Sequence, residues 1–352
     1  MKIAQPIFVQ SQKKLREKLM KQLSGRRFVL LTDENISAHC LPILSEFFAD
    51  SSPMDMIEVE AGEGAKSPEV AMQLWAHLMD LGFTKSDVVV CLGGGSILDL
   101  GGFVASTFKR GVPALFLPTT LLAMTDAALG GKNGVDIGEV KNLVGTIVQP
   151  EAIIVYPPFC ETLPPQELKS GAAEVLKHAI IGGGELWSRL EVLEVFSGYA
   201  ELDILKLSVR VKMKIVAQDE REAGLRKILN FGHTIGHAVE SQAWHSGRPI
   251  QHGIAVAFGM YVESVLAFSI GMLNREDFEK ITNRIAVLYG ADFTDLPKWS
   301  DTAKFIVHDK KWGQAGISLY LPLSIGGFRP QIISESSSLE EAYNQSLRYF
   351  TT

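Results

Sequence analysis

The stretch from residue 226 to residue 252 concentrates side chains that bind metals and transfer protons. Read as a helix, it places His233 and His237 four residues apart on one face, and Asn230 and Arg226 continue that face toward the N-terminus. Histidine is the commonest metal ligand and the usual proton-transfer group near neutral pH. Two histidines at this spacing can present two ring nitrogens to one cation, although an isolated pair is more often only partly exposed polar surface.

Two glycines favour a binding site over that simpler interpretation. Gly232 and Gly236 lie in the same segment, where they would let another backbone or a ligand approach the helix closely. His252 supplies a third imidazole shortly afterwards. In a chain with 46% hydrophobic residues, a helix with so much polar chemistry predicts a metal or substrate site.

A second group of polar residues lies on an earlier helical pattern. Glu174 and Lys177 are three residues apart and share a face, so a ligand and a cation can point into one cleft. His178 is one turn from Glu174 and competes as a ligand. A glutamate with two histidines and an open position is typical of a catalytic zinc site. Spacing alone leaves open which histidines join Glu174, and unconnected core histidines are the alternative.

The composition is that of a soluble, enzyme-like chain of 352 residues, with 21% charged residues and a net charge of −6. This length allows two domains, each with its own core. The negative charge argues against nucleic acid as an obligate partner, because proteins that bind phosphate backbones carry basic faces.

Three features predict a cytoplasmic protein without a membrane partner. The N-terminus lacks the apolar run and the cleavage site of a signal peptide. The most apolar stretch, residues 253–271, is interrupted by Glu263 and by glycines. Cys40, Cys91 and Cys160 are widely spaced in apolar surroundings, which predicts free buried thiols in a reducing compartment.

The first half of the chain predicts an N-terminal Rossmann-like α/β domain with a doubly wound parallel sheet. Short runs rich in β-branched residues are typical of strands buried on both faces, and helical patterns separate them as in βαβ units. These runs are residues 27–32, 88–92, 114–117 and 152–155, and residues 56–60 alternate apolar and polar side chains as a further strand.

After Pro164 the patterns are mostly α-helical, so we place a domain boundary between residues 1–162 and residues 163–352. A short pair of strands is expected near residues 316–322. The predicted helices are residues 165–181, 185–196, 202–220, 225–244, 253–269, 275–289 and 338–349.

A glycine-rich loop in the first half has the features of a phosphate-binding site. Gly93–Ser96 directly follows the strand at residues 88–92 and opens a helix that carries Asp99. Its backbone N–H groups and the helix N-terminus favour a pyrophosphate, although the spacing is not the usual dinucleotide fingerprint. Glu63 and Lys66 lie in a second loop after a strand, where a solvated turn is the alternative.

Lysines near glycines and apolar runs suggest a pocket for a small polyanion. Lys132 lies among glycines, Lys141 and Asn142 follow shortly after it, and Lys177 lies beside Glu174. Each lysine alone is more often a surface residue, but their clustering in an acidic protein favours a common anionic ligand.

With these residues in place, the chain resembles the 3-dehydroquinate synthases, a family of sugar phosphate cyclases. The resemblance covers most of the chain, from residue 62 to Lys311. The matching motifs are Gly-Glu-x-x-Lys-Ser (62–67), Gly-Gly-Gly-x-x-x-Asp-Leu-x-Gly-Phe (93–103), Arg110-Gly-Val, Pro118-Thr-Thr-Leu-Leu-Ala, Gly-Gly-Lys132-x-Gly-Val, Lys141-Asn142, Gly-x-Ala-Glu174-Val-x-Lys177, the block from Arg226 to Glu240, His252-Gly and Asp309-Lys-Lys311.

The resemblance implies a role for each matching residue. Glu174, His233 and His252 would hold the metal, and His237 would contact the substrate phosphate instead of the metal. Arg110 would reach the substrate site from the other subunit of a dimer. The other substrate-site residues would be Asp126, Lys132, Asn142, Lys177, Lys212, Arg226, Asn230 and one of Lys310 or Lys311. The residues that face NAD would be Asp33, Glu63, Lys66, Gly94, Gly95, Ser96, Ile97, Leu98, Asp99, Thr119, Thr120, Lys132, Lys141, Phe159 and Thr162.

The implied reaction is the conversion of 3-deoxy-D-arabino-heptulosonate 7-phosphate to 3-dehydroquinate and phosphate in the shikimate pathway. NAD oxidises the C5 carbinol, phosphate leaves by elimination, NADH returns the hydride, and ring opening with an aldol step closes the carbocycle. Zn²⁺ or Co²⁺ would act as the Lewis acid, so NAD and the metal are the implied cofactors. The implied partners are a small anionic substrate and a second copy of the chain in a homodimer.

Two enzyme classes are the alternatives. A related cyclase would act on another sugar phosphate. A metal-dependent alcohol or glycerol dehydrogenase shares the two-domain plan and a Gly-Gly-Gly-Ser-x-x-Asp loop, but needs fewer anion-binding cations. A non-catalytic protein that kept the fold is a third alternative, since fold does not determine function.

Overall fold

The computed structural model describes residues 3–138, 140–308, 312–313 and 316–351. The chain divides into two compact units. Unit 1 comprises Met1–Pro164 and Ala200–Leu202, and unit 2 comprises Pro165–Tyr199 and Asp203–Thr352.

Unit 1 alternates strands and helices, as the sequence predicts. Its elements are β1 (Pro6–Phe8), α1 (Gln12–Leu23), β2 (Phe28–Asp33), α2 (Glu34–His39), α3 (Ser45–Asp50), β3 (Asp55–Val59), α4 (Pro68–Asp80), β4 (Val88–Gly93), α5 (Gly95–Thr107), β5 (Ala114–Pro118), β6 (Lys132–Ile137), β7 (Val140–Ile147) and β8 (Ala152–Val155).

Six of these strands form one parallel sheet in the order β1-β8-β5-β4-β2-β3. Every residue of β2, β4, β5 and β8 is buried, which explains their continuous apolar runs. The Rossmann-like fold class is confirmed. Among the strands of unit 1, two features were not predicted: the three-residue strand β1, too short to give a pattern, and the ribbon β6–β7, whose polar and glycine residues hide its strand character.

The order of strands creates a switch point beside β4. The chain passes from β2 outward to β3 and then returns to β4, from which the sheet grows in the opposite direction. Ligands of doubly wound sheets bind at the carboxyl ends of the strands where the order reverses. The Gly93–Ser96 loop lies at the carboxyl end of β4, next to the reversal.

Unit 2 is mostly helical and contains one small antiparallel sheet, in the order β11-β10-β9. Its elements are α6 (Pro165–Gly182), α7 (Gly184–Leu190), α8 (Leu202–Gln218, whose first residue belongs to unit 1), α9 (His233–His245), α10 (His252–Ser269), α11 (Arg275–Tyr289), α12 (Trp299–His308), β9 (Trp312–Gly313), β10 (Gly316–Ser324), β11 (Gly327–Ile333) and α13 (Ser336–Thr351).

The prediction of one continuous helix over residues 225–244 is wrong. Residues Leu225–Asn230 form a 3₁₀ helix, and α9 begins only at His233. Between them Gly232 has φ +80°, a left-handed conformation that ends one helix and starts the next. His233 and His237 still share a face of α9, but Arg226 and Asn230 do not continue that face.

Helix α10 is the central helix of unit 2. Within the described part of the chain, it is the one helix whose length and apolarity would suffice for a membrane span, and 78% of it is buried inside the protein. It packs against α6, α9, α11 and α13 and carries the buried Glu263. A core helix of this kind explains the apolar stretch at residues 253–271.

Glycines allow α9 and α10 to cross very closely. A Cβ at Gly236 would lie 2.9 Å from Val256 Cα, and one at Gly259 would overlap the carbonyl oxygen of Gly232. The glycines that thin this segment therefore accommodate the backbone of a neighbouring helix. This crossing fixes the position of the first turn of α9, where His233 lies.

Candidate active site

A buried ion pair lies at the centre of the candidate site in unit 2. Glu174 and Lys177 are one helical turn apart on α6, and their side chains are 0% and 1% exposed. The Lys177 ammonium pairs with Glu174 Oε2. Among the described residues, the other carboxylate oxygen, Oε1, accepts no hydrogen bond. Burying a carboxylate with so few partners is costly, which is typical of a functional site.

Two histidine rings lie against the other carboxylate oxygen of Glu174. His233 Nε2 is 3.5 Å and His252 Nε2 is 3.9 Å from Glu174 Oε1. The centroids of the two rings are 5.4 Å apart. A glutamate oxygen and two imidazole nitrogens converging in this way could hold a divalent cation with room for a further ligand.

His237 lies beside the same pair of rings. Its ring centroid is 5.1 Å from that of His233 and 5.7 Å from that of His252, and one nitrogen from each of the three rings lies within 4.8 Å of the other two. His237 is exposed, whereas Glu174 is fully buried. The His233–His237 pair expected from spacing lies close together, and so does the Glu174–His233–His252 triad implied by the resemblance.

A close contact between α10 and α6 places His252 near Glu174. His252 is the first residue of α10, and the next residue, Gly253, donates its N–H to Ser170 Oγ at 2.9 Å. A Cβ at Gly253 would overlap the carbonyl group of Ser170 on α6. Ser170 lies one turn before Glu174 on that helix, so the absence of a side chain at Gly253 brings the two candidate ligands together.

Further polar residues of unit 2 order the loop before α9. Asp219 accepts backbone N–H groups from Ala223, Gly224 and Arg226, which lower its pKa. The buried Arg226 guanidinium donates to the carbonyl of Glu220 at 2.5 Å, and Asn230 donates to Glu222 Oε1 at 2.6 Å.

Two buried residues of α8 face α6. The hydroxyl of Ser208 lies 2.8 Å from His178 Nδ1, and Lys212 follows one turn later with 5% exposure. His178 is therefore engaged with α8 through its Nδ1 atom. Glu222 and Ser208 were not predicted as site residues, because their contacts depend on how the loop and α8 fold back.

In unit 1, the glycine loop forms the N-terminus of α5 without a side-chain cap. Gly94 is the N-cap residue, and a Cβ there would lie 3.2 Å from the Thr120 methyl group. The loop is tied to the next strand end because Thr119 donates its N–H to the carbonyl of Gly93 at 3.0 Å. Uncapped N–H groups at a helix start form an anion-binding site.

The Lys66 ammonium lies close to three carboxylates at the same end of the sheet. The ammonium of this buried residue lies 2.8 Å from Asp99 Oδ2, 3.6 Å from Glu63 Oε1 and 3.9 Å from Asp136 Oδ1. It also donates to Asn142 Oδ1 at 2.5 Å. The solvated turn considered for Lys66 is thus wrong, since this residue is only 3% exposed.

Asp136 is a site residue that the sequence analysis missed. It accepts the backbone N–H of Asn142 at 2.6 Å and donates its own N–H to the carbonyl of Lys66 at 2.9 Å. Asn142 has φ +54°, an uncommon value that this hydrogen bond stabilises. Only recognition of the ribbon could have revealed the contact, because 70 residues separate Asp136 from Lys66.

The Lys66 cluster makes stability depend on pH. Burial raises the pKa of Asp99 to about 6, against the lowering by Lys66. In the unfolded chain the pKa of an aspartate is about 3.9. The stabilisation from keeping Asp99 protonated in the folded protein is therefore complete below about pH 4 and is lost as pH rises through about 6. We expect Asp99→Asn to lose less stability at pH 7 than at pH 4.5, as measured by urea unfolding. A loss that grows with pH would instead mean that the ion pair with Lys66 dominates.

The remaining residues implied by the resemblance occupy diverse positions. Asp33 ends β2 and caps α2 by accepting the N–H of Ile36 at 3.0 Å. Asp126 lies in a π-helical turn, Ala123–Ala127. Ile97, Leu98 and Phe159 have buried side chains, so Ile97 and Leu98 can offer only backbone atoms. Gly95 begins α5, and the next residue, Ser96, donates its hydroxyl to Glu63 Oε2 at 2.8 Å. Thr162 donates its hydroxyl to the carbonyl of Phe159 at 3.1 Å. The side chains of Lys132, Lys141 and Arg110 are exposed, and Lys310 and Lys311 lie outside the described residues.

A Rossmann-like unit with an anion-binding loop and a helical unit with a Glu-His-His cluster define a class of metal- and dinucleotide-dependent enzymes. The model of the 3-dehydroquinate synthase N-terminal domain matches residues 56–170, and that of the C-terminal domain matches residues 171–312. The chain belongs to the 3-dehydroquinate synthase family.

Named relatives agree with this assignment over most of their length. The 3-dehydroquinate synthase of Desulforamulus reducens is 36% identical over 333 residues, which cover 91% of each chain. That of Enterococcus faecalis is 37% identical over 307 residues, covering 86% of this chain and 84% of the relative.

Solved structures share the fold over nearly the whole chain. A 2-epi-5-epi-valiolone synthase from Streptomyces hygroscopicus with bound NAD⁺ and Zn²⁺ has a TM-score of 0.83 and 25% identity, covering 99% of this chain and 98% of that one. A 2-deoxy-scyllo-inosose synthase complexed with carbaglucose-6-phosphate, NAD⁺ and Co²⁺ has a TM-score of 0.84 and 21% identity, with coverage of 97% and 96%. An iron-containing alcohol dehydrogenase is more distant, with a TM-score of 0.63 and 14% identity over 99% and 98% of the chains.

Proposed function

We propose that this protein is a 3-dehydroquinate synthase that converts 3-deoxy-D-arabino-heptulosonate 7-phosphate to 3-dehydroquinate and phosphate. The observation that carries the proposal is the convergence of His233 and His252 on the buried Glu174, in a chain whose family is established. The reaction proceeds by oxidation, phosphate elimination, reduction, ring opening and aldol closure, without net redox change.

The donor set of unit 2 fits a divalent metal. Among the described residues, Glu174 Oε2 pairs with the Lys177 ammonium, Oε1 accepts no hydrogen bond, and the rings of His233 and His252 face Oε1. One carboxylate and two histidines suit Zn²⁺ or Co²⁺ and leave coordination positions for substrate. A bound metal would supply Lewis-acid stabilisation of negative charge on a substrate oxygen.

The loop residues of unit 1 fit NAD. The uncapped start of α5 at Gly94 and Gly95 offers N–H groups to the pyrophosphate. Glu63 and Asp99 offer carboxylate oxygens to ribose hydroxyls, and Lys66 holds these carboxylates in place. We therefore assign residues 1–162 to NAD binding and residues 163–352 to metal and substrate binding.

Cationic and amide side chains of unit 2 fit a substrate with a carboxylate and a phosphate. Lys177 and Lys212 are buried ammonium groups, and Arg226 is a buried guanidinium. His237 is exposed beside the metal ligands, where it can contact the phosphate. Fixing both anionic ends of the substrate allows successive steps to occur in one bound pose.

Phosphate release tests this function directly. Purified protein, stripped of metal with a chelator, is assayed with 3-deoxy-D-arabino-heptulosonate 7-phosphate, with and without NAD and Zn²⁺. Release of inorganic phosphate that needs both cofactors, without accumulation of NADH, is the expected result. NADH accumulation from glycerol, with no phosphate release, would place the protein with the alcohol dehydrogenases that share the fold.

We further propose that the protein is a cytoplasmic homodimer. The described cysteines Cys40, Cys91 and Cys160 are buried free thiols, which suits a reducing compartment. The ribbon β6–β7 exposes a group of apolar side chains, as a protein interface would. The exposed fractions are Ile137 43%, Leu143 45%, Val144 40% and Ile147 40%, and Val148, directly after β7, is 39% exposed.

A charge on the ribbon should weaken the dimer. We expect Leu143→Lys to shift the molar mass in light scattering from dimer toward monomer, because a lysine in an apolar interface is desolvated without a partner. Val192→Lys is the matched control, since Val192 is exposed but lies on unit 2 outside the ribbon. Unchanged dimer mass for Leu143→Lys would exclude the ribbon as the interface.

Strain at Arg110 supports a functional role for this residue. Lys109 and Arg110 have φ values of +49° and +65°, and non-glycine residues pay about 1 kcal/mol or more for such conformations. We propose that Arg110 serves the substrate site of the partner subunit. Arg110→Gly is expected to raise the melting temperature while lowering kcat/KM. If both activity and stability fall, Arg110 stabilises the fold and has no role in substrate binding.

A further inference from the structure

Glu240 makes a contact to a candidate metal ligand that the proposed reaction does not use. It lies on α9, one turn after His237, and its side chain is 13% exposed. Its Oε2 atom is 3.2 Å from Nδ1 of His252, the first residue of α10. The contact therefore joins one histidine-bearing helix to the ligand on the next.

The two ring nitrogens of His252 face different partners. Nδ1 faces Glu240, and Nε2 faces Glu174 Oε1 at 3.9 Å. A carboxylate that accepts this contact keeps the ring proton on Nδ1, which is the tautomer that a metal-binding His252 requires. The lone pair is then on Nε2, on the side of Glu174, where a cation would bind.

His233 has a similar arrangement with a different acceptor. Its Nδ1 atom is 3.3 Å from the carbonyl oxygen of Phe231, and its Nε2 is 3.5 Å from Glu174 Oε1. A carbonyl oxygen can only accept, so this ring also has its lone pair on Nε2. Both rings are thus oriented by their Nδ1 partners, and the partner of His252 is a carboxylate.

We infer that Glu240 is a positioning residue that sets the tautomer and orientation of His252 and thereby strengthens metal binding. Carboxylates behind metal-bound histidines raise the basicity of the ring, and their loss typically costs about 10- to 100-fold in metal affinity. This inference rests on the proposed metal site. It adds to that proposal a residue that touches neither metal nor substrate.

Metal affinity and ring tautomer test the inference separately from turnover. Zn²⁺ affinity is measured by competition with a chromophoric chelator for the wild type, Glu240→Ala, Glu240→Gln and Glu240→Asp. We expect affinity to fall about 10- to 100-fold in Glu240→Ala, to fall less in Glu240→Gln, which keeps an acceptor, and to recover partly in Glu240→Asp, which keeps the charge. Glu276→Gln is the matched control, because Glu276 is an exposed carboxylate paired with Lys280 on α11.

The metal-free protein provides a second readout. Nitrogen chemical shifts of His252 should report the Nδ1–H tautomer in the wild type and a mixture of tautomers in Glu240→Ala. In a third readout, the visible spectrum of Co²⁺-loaded Glu240→Ala should differ from that of the Co²⁺-loaded wild type, a change that a general loss of stability would not cause. Unchanged affinity and tautomer in Glu240→Ala would overturn the inference, whereas a wild type that binds no metal would refute the proposed function itself.

Discussion

Replacement of His233 by alanine is expected to abolish turnover while the protein remains folded. The variant keeps Glu174 and His252 but loses the nitrogen that lies 3.5 Å from Glu174 Oε1. A bound metal contributes several kcal/mol of charge stabilisation, and each 1.36 kcal/mol is about tenfold in rate. We therefore expect a loss of about 10³-fold or more in kcat. Metal analysis of the purified variant should show less than stoichiometric zinc.

NAD binding and a matched histidine variant separate this effect from misfolding. The proposed NAD residues belong to unit 1, so the NAD affinity of His233→Ala should equal that of the wild type. His245→Ala is the control, because His245 lies at the other end of α9 and contacts the ring of Phe305 at 5.7 Å. Near-normal turnover in His233→Ala would contradict the proposed metal site.

The strands of unit 1 differed in predictability for physical reasons. Strands buried on both faces of a parallel sheet consist of apolar runs, so β2, β4, β5 and β8 were evident in the sequence. The ribbon β6–β7 is exposed on much of its surface, and no apolar periodicity reveals it. Asp136 was missed for the same reason, since its contact with Lys66 depends on the ribbon.

The break at Gly232 shows what local patterns cannot provide. The spacing of His233 and His237 was sufficient to place them on one face, but the helix that carries them begins only where Gly232 adopts a left-handed conformation. The nearness of Glu174 depends on a crossing between α6 and α10 that Gly253 permits. Contacts between helices distant in sequence follow from backbone packing, which no spacing rule encodes.

Replacement of Lys177 by alanine should abolish turnover and also make stability depend on metal. Lys177 is the buried cation paired with Glu174, and removal of one partner of a buried ion pair costs about 3–5 kcal/mol. A metal bound to Glu174 would compensate the same charge. Thermal unfolding of the chelator-treated variant should therefore occur well below that of the wild type, and added Zn²⁺ should restore most of the difference.

The zinc-loaded variant isolates the catalytic contribution of the ammonium group. A group that binds substrate or transfers a proton contributes about 10²- to 10⁴-fold in rate, so Lys177→Ala should remain inactive even when Zn²⁺ has restored its stability. Lys169→Ala, on the same helix and paired with Asp292, is the matched control for losing a cation from α6. If Zn²⁺ restores both stability and turnover, Lys177 serves only to neutralise Glu174, and the substrate anions are held by Lys212 and Arg226.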